Sequence, residues 1–127
     1  MIRRIQETDA ARVAALDAEL FPEVCWNENT VRREIQLGWG LVAPDPKGKI
    51  LGFLLARLDG QIADITRVGV TKKFQRRGFG RLLLRAAIDV AEGGPLMLTV
   101  RRDNEAAKKL YLQERFTARS VTKEGAL

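Results

Sequence analysis

Apolar positions recur along this chain with two periods, and the switches between them mark out the elements. Ile2 to Ile5 reads as a short opening strand. Thr8-Asp9 offers an N-cap, and Val13, Leu16 and Leu20 follow at helical spacing until Phe21-Pro22 closes the helix. A loop runs to Asn27, which can cap a second helix bearing Val31 and Ile35, with Gly38 as its stop. Leu41 to Ala43 is a strand closed by the turn Pro44-Asp45-Pro46-Lys47-Gly48. Ile50 to Leu58 is an apolar strand. Asp59-Gly60 is a hairpin signal, because both central positions of such a turn favour positive φ, and Gln61 to Val70 returns antiparallel.

The stretch Gln75-Arg76-Arg77-Gly78-Phe79-Gly80 then leads into a helix predicted from about Gly78 to Glu92. Its apolar residues Leu82, Leu83, Leu84, Ala86, Ala87, Ile88 and Val90 surround much of the cylinder, which predicts packing against a sheet. Gly93-Gly94-Pro95 stops it. Leu96 to Val100 is a short strand, Asp103 or Asn104 can cap a fourth helix reaching Glu114, and Thr117 to Thr122 is the last strand. No repeat, low-complexity segment or linker interrupts this order. It implies one α/β (α+β) domain over residues 1–127, a mixed twisted sheet of about six strands flanked by four helices.

Charge changes the picture because it is uneven. Residues 1–66 carry a net −2, whereas residues 67–127 carry a net +8. Between Ile65 and Ile88 stand seven Lys or Arg and no Asp or Glu. These bases surround two glycines at a strand-to-helix turn, where backbone N–H groups lie uncovered in front of the positive end of a helix dipole. That combination forms a site for phosphate oxygens and points to a bound polyphosphate.

Other chemistry is removed by what the chain lacks. It has no histidine and one cysteine, Cys25, so Ser/His and Cys/His nucleophilic schemes, an internal disulfide, a CxxC zinc site and most zinc or iron sites are excluded. No metal is expected. Met1-Ile2-Arg3-Arg4 is not followed by an apolar signal segment and no apolar run approaches a membrane span, so a cytoplasmic location is the expectation.

Two further motifs make the chain resemble GNAT-type N-acetyltransferases. The family's Q/R-x-x-G-x-G/A stands here as Gln75 to Gly80, after a strand ending in Val68-Gly69-Val70. The segment from Val100 to Tyr111 resembles the family's V-R-x-x-N-x-x-A-x-x-L-Y stretch, in the right order and at the right distance. Together the matches cover about residues 50–117.

The resemblance implies a GNAT fold that binds acetyl-coenzyme A. The turn Gln75, Arg76, Arg77, Gly78, Phe79, Gly80 and Arg81 would hold the pyrophosphate, with Lys72 or Lys73 near the 3′-phosphate. The backbones of Val68 and Val70 would pair with the pantetheine amides, and a bulge at Gly69 would suit the splaying of that strand. Asn104 would contact the pantetheine arm.

By the same resemblance Tyr111 donates the proton to the departing sulfur, a role suited to a phenol of pKa about 10. Relatives that acetylate protein N-termini carry a Glu where this chain has Thr99, and a hydroxyl cannot replace a carboxylate base. Asp64 is the substitute, because strict alternation puts Asp64, Thr66, Val68 and Val70 on one face. Transfer to the primary amine of a protein, peptide or small molecule would be direct, in a ternary complex, leaving Cys25 as a loop cysteine.

The loop Leu20-Phe21-Pro22-Glu23-Val24-Cys25-Trp26-Asn27-Glu28 resembles the acceptor loop of ribosomal-protein N-terminal acetyltransferases. It offers Glu23, Trp26 and Glu28 for a cationic amine, though Phe21 and Trp26 serve equally as core anchors. After Tyr111 the family's glycine is replaced by Arg115, and only eleven residues follow Phe116. The closing hairpin is therefore truncated, and the acceptor side is open or completed by a second subunit. A noncatalytic acetyl-coenzyme A sensor or interaction domain is the alternative. Nucleic-acid binding is disfavoured because the basic half lacks interleaved aromatics.

Overall fold

The computed structural model describes residues 1–59, 62–92 and 94–98. Five strands form one sheet in sequence order: β1 (Arg3–Arg4), β2 (Gly38–Pro44), β3 (Ile50–Asp59), β4 (Ile62–Val70) and β5 (Leu96–Leu98). The first four pair antiparallel, and β4 pairs parallel with β5. Helices α1 (Ala10–Leu20) and α2 (Glu28–Leu37) cover one face, and α3 (Phe79–Ala91) covers the other. These five strands and three helices make the expected mixed α/β sheet. The predicted fourth helix and last strand lie outside the described residues.

Period-two alternation along the central strands builds the two cores. Val42, Phe53 and Leu55 point to the α1/α2 side with Val13, Leu16 and Val31, whereas Leu41, Leu54 and Ala56 point to Leu83, Leu84 and Ala87 of α3. Phe53, Leu54, Leu55 and Leu83 are wholly buried. Each such side chain stabilises the fold by about 1.5–3 kcal/mol relative to exposure. On α3 the apolar residues do not all point inward: Leu82 is 52% exposed. Among the described residues no helix is long and apolar enough to cross a membrane.

Several local expectations are corrected. A short 3-10 turn, Glu7–Asp9, precedes α1, and Asp9 reaches back to accept from the Gln6 N–H at 2.8 Å. The carboxylate therefore works one turn earlier than an N-cap of α1 would. Asn27 does cap α2, accepting from the Thr30 N–H at 2.8 Å. Gly38 joins α2 to β2 without a loop, at φ −148, so a left-handed stop is not its reason. A Cβ there would stand 1.9 Å from the Ala56 carbonyl oxygen, and only glycine lets the two strands approach. Asp59 belongs to β3 and pairs with Ile62, so the strand runs one residue further than expected. Helix α3 ends on Glu92, itself left-handed at φ 52, before the expected glycines.

The correction with most consequence concerns β4. Phe53 and Gly69 pair regularly, and the irregularity lies instead opposite Leu55/Ala56, where Arg67 and Ile65 are the partners. Thr66 is the extra residue, and its hydroxyl donates to the Leu55 carbonyl at 3.2 Å. The bulge breaks strict alternation. Ile65, Val68 and Val70 pack toward α3, whereas Asp64 pairs with Arg57, and Arg67 with Leu55, on the α1/α2 side. Asp64 therefore does not share a face with Val68 and Val70.

Candidate active site

The glycine turn is assembled directly after β4. Thr71 donates its N–H to the Leu51 carbonyl at 2.8 Å, and a 3-10 turn, Lys72–Phe74, carries the chain outward. Gln75 then folds back, its Nε2 donating to the Val70 carbonyl at 2.9 Å. Two left-handed residues follow, Arg76 at φ 63 and Gly78 at φ 86, and they curl the backbone into the head of α3. Phe74 and Phe79 close the curl from beneath, edge to face with centroids 5.4 Å apart.

Gly78 is the N-cap of α3 and has no side chain to satisfy the first amides of the helix. A Cβ built on it meets no atom within 4 Å beyond its chain neighbours, so the space beside this cap is open. The first turn of α3 carries no acid, while Lys72, Lys73, Arg76 and Arg77 stand exposed around it. Donors, dipole and charge therefore agree on an anion of the phosphate class. Arg77 is partly occupied, lying 5.6 Å over the Phe74 ring. Beside the turn, the β4–β5 ladder among the described residues takes in Ala63, Asp64 and Ile65. Among the described residues Val68 and Val70 have no strand partner on that edge.

The opposite face of β4 meets the loop between α1 and α2. Arg67 donates from Nε to Asp17 Oδ1 at 2.8 Å and from Nη2 to Asp17 Oδ2 at 2.9 Å. The same Nη2 donates to the Val24 carbonyl at 2.7 Å, and the Trp26 N–H donates to Asp17 Oδ2 at 2.7 Å. Its guanidinium lies 4.6 Å from the ring centres of both Phe21 and Trp26. Asp17 is 1% exposed and Arg67 16%, so this is a largely desolvated pair with both carboxylate oxygens bonded.

A second pair stands further along the same face. Glu34, buried on α2, accepts from Arg57 Nε at 2.9 Å and also from its Nη2. That carboxylate raises the Arg57 pKa above its ordinary value, first through the hydrogen bond and then through its charge, and Asp64 nearby adds to the effect.

Of the acceptor candidates, Trp26 is held against Arg67, and Glu28 bonds Arg32 one turn along α2 at 2.9 Å. Glu23 and Cys25 are exposed on the loop. Thr99, Asn104 and Tyr111 lie outside the described residues. Sequence reasoning passed over Asp17 and Arg67, although one signal was present: Asp17 falls on the buried stripe of Ala10, Val13 and Leu16, where an acid requires a partner.

Comparison with known proteins identifies the family and the fold. Residues 6–116 match the acetyltransferase (GNAT) family. The chain is 34% identical over 116 residues to the N-alpha-acetyltransferase RimI of Mycobacterium tuberculosis, covering 87% of this chain and 73% of that protein. It is 34% identical over 80 residues to the N-terminal acetyltransferase A complex catalytic subunit ard1 of Schizosaccharomyces pombe, covering 55% and 45%. The ribosomal-protein-S18-alanine N-acetyltransferase of Escherichia coli superposes with a TM-score of 0.84 at 24% identity, over 98% of this chain and 86% of that one. The chain therefore belongs to the acetyltransferase (GNAT) family and is an acyl-CoA-dependent acetyltransferase.

Proposed function

We propose that this protein transfers the acetyl group of acetyl-coenzyme A to the α-amine of a protein or peptide, directly and in a ternary complex. The observation that carries the cofactor half is Gly78, left-handed at the head of α3 with nothing within 4 Å of the place a Cβ would take. The amine half rests on the relatives named N-alpha- and N-terminal acetyltransferases. A cytoplasmic site of action accompanies this reading.

Acetyl-coenzyme A supplies the activated acetyl thioester. The amides from Arg76 to Gly80, with Arg81 beside them, hold its pyrophosphate, and Gln75 fixes the turn through the Val70 carbonyl. The edge of Val68 and Val70 takes the pantetheine arm, and Asn104 contacts that arm as in the family's motif. Because α3 and the acceptor loop lie on opposite sides of β4, the amine approaches from the loop side. The bulge places Asp64 on that same side, where its carboxylate receives the amine proton through water. Glu23 draws in the cationic form of the amine. The Tyr111 Oη gives its proton to the departing sulfur and recovers one from the second N–H that the amine loses. The C–N bond forms, the C–S bond breaks, and one proton leaves by way of Asp64.

Calorimetric titration with acetyl-coenzyme A tests the first half, with a one-to-one isotherm expected. Thiol release in the presence of a peptide with a free α-amine tests the second. Absence of binding at low salt would overturn the proposal, and binding without thiol release from any amine would leave a cofactor sensor in its place.

A further inference from the structure

Among the described residues, the side-chain hydrogen bonds that tie the loop of residues 21–27 to α1 and β4 converge on two side chains, Asp17 and Arg67, while Trp26 also packs against the α1/α2 core. The guanidinium bonds the Asp17 carboxylate and the Val24 carbonyl while lying between the Phe21 and Trp26 rings, and the same carboxylate takes the Trp26 N–H. With so little exposure, Arg67 is unavailable to an incoming anion. Although it belongs to the basic half of the chain, it serves the other side of β4.

That position separates two dependences. Arg67 pairs with Leu55 on the loop side, and its neighbour Val68 pairs with Leu54 on the α3 side. A change confined to the guanidinium therefore moves the loop and leaves the phosphate turn in place. We propose that Arg67 is a positioning residue for the acceptor: it fixes the loop as the wall against which the amine binds. This rests on the acetyltransferase reading given above. The wall that it holds presents the exposed carboxylate of Glu23, so the acceptor it serves is an amine arriving as its ammonium ion.

Lysine in this place keeps the charge but loses the two-pronged geometry and the stacking. The test is Arg67→Lys, with Asp17→Asn as the second variant that loosens the same pair from the other end. Both are made in a Trp39→Phe background, because the chain has two tryptophans and Trp26 then reports alone. Acceptor kinetics use a short peptide with a free α-amine, and its Nα-blocked counterpart is the control.

The expected result is a rise of about threefold in acrylamide quenching of Trp26 and of about tenfold in the KM for the peptide. The kcat and the Kd for acetyl-coenzyme A stay within about twofold. Unchanged quenching in both variants overturns the clamp, and a loosened loop with an unchanged peptide KM overturns its role in acceptor binding. An equal loss of acetyl-coenzyme A affinity identifies a distorted strand and also overturns it. Parent protein that binds acetyl-coenzyme A but acetylates no amine overturns the functional reading itself, an outcome distinct from an active parent with indifferent variants.

Discussion

Gln75 and Val70 are joined by a side chain to backbone hydrogen bond of 2.9 Å, which ties the opening of the glycine turn to the last residue of β4. The bond spans the short 3-10 turn and sets the direction in which the chain enters α3. Gln75→Ala removes this tether without touching the amides themselves. We expect acetyl-coenzyme A affinity to fall by about fivefold, the size of one partly exposed hydrogen bond, with the fold intact. Calorimetry beside a thermal melt checks both parts.

Gly78→Ala separates backbone from ligand. The new Cβ meets nothing in the protein, so its stability cost is only that of a left-handed alanine, about 1–2 kcal/mol. Gly78→Glu has the same backbone cost but places a carboxylate before the amides of α3, and acetyl-coenzyme A binding should vanish. Equal affinities for the two variants would remove the turn as the phosphate site.

Tyr111→Phe tests the proton donor. A positioned acid contributes about 10²–10⁴ in rate, so kcat should drop by about 10² or more while the acetyl-coenzyme A Kd holds. Single-turnover thiol release measures this, and an unaltered rate would end the assignment.

Acid should unfold the protein partly through Asp9. Its carboxyl is held below the ordinary carboxylate value, mainly by the hydrogen bond from Arg3, with the Gln6 N–H assisting and burial opposing. A depressed folded pKa gives stability that is fully present above the unfolded value of about 4 and is lost as pH falls through the folded value. Asp9→Asn should cost about 1 kcal/mol at neutral pH, since Arg3 is substantially solvated, and should flatten the acid limb below about pH 4. Urea melts at a series of pH values would show both effects.

Gly38→Ala should be severe for a reason unrelated to helix termination. A Cβ 1.9 Å from the Ala56 oxygen must push β2 from β3 at the end of α2, and we expect a loss of about 3 kcal/mol or more. A denaturant midpoint close to that of the parent would contradict the close approach.

The contrast between Gly78 and Arg67 explains what was legible in the sequence. Gly78 acts through its own backbone and its immediate neighbours, so spacing sufficed to mark the glycine turn at the head of α3. Asp17 and Arg67 are 50 residues apart, and nothing local shows that a helix acid and a strand base will meet. Alternation was legible along β3 from Phe53 to Ala56, beyond the irregularity where Leu51 stands as an extra residue opposite Ala43/Pro44, and misleading along β4. Thr66 is an ordinary strand residue, and no composition signal marks it as surplus. Asp9 failed by a single turn, because a carboxylate can satisfy amides from either end of a short 3-10 segment.

The bulge also gives β4 an asymmetry toward changes in length. Removing Thr66 would bring Ile65 and Arg67 into succession, opposite Ala56 and Leu55, with every remaining side chain still on its present side. Removing Asp64 or Ile65 could close the ladder as well, but only by drawing Thr66 into the place of Ile65, beside α3. A single-residue deletion scan of this strand should therefore have one tolerated position, and the β3–β4 pair can be viewed as a regular ladder into which one residue has been inserted.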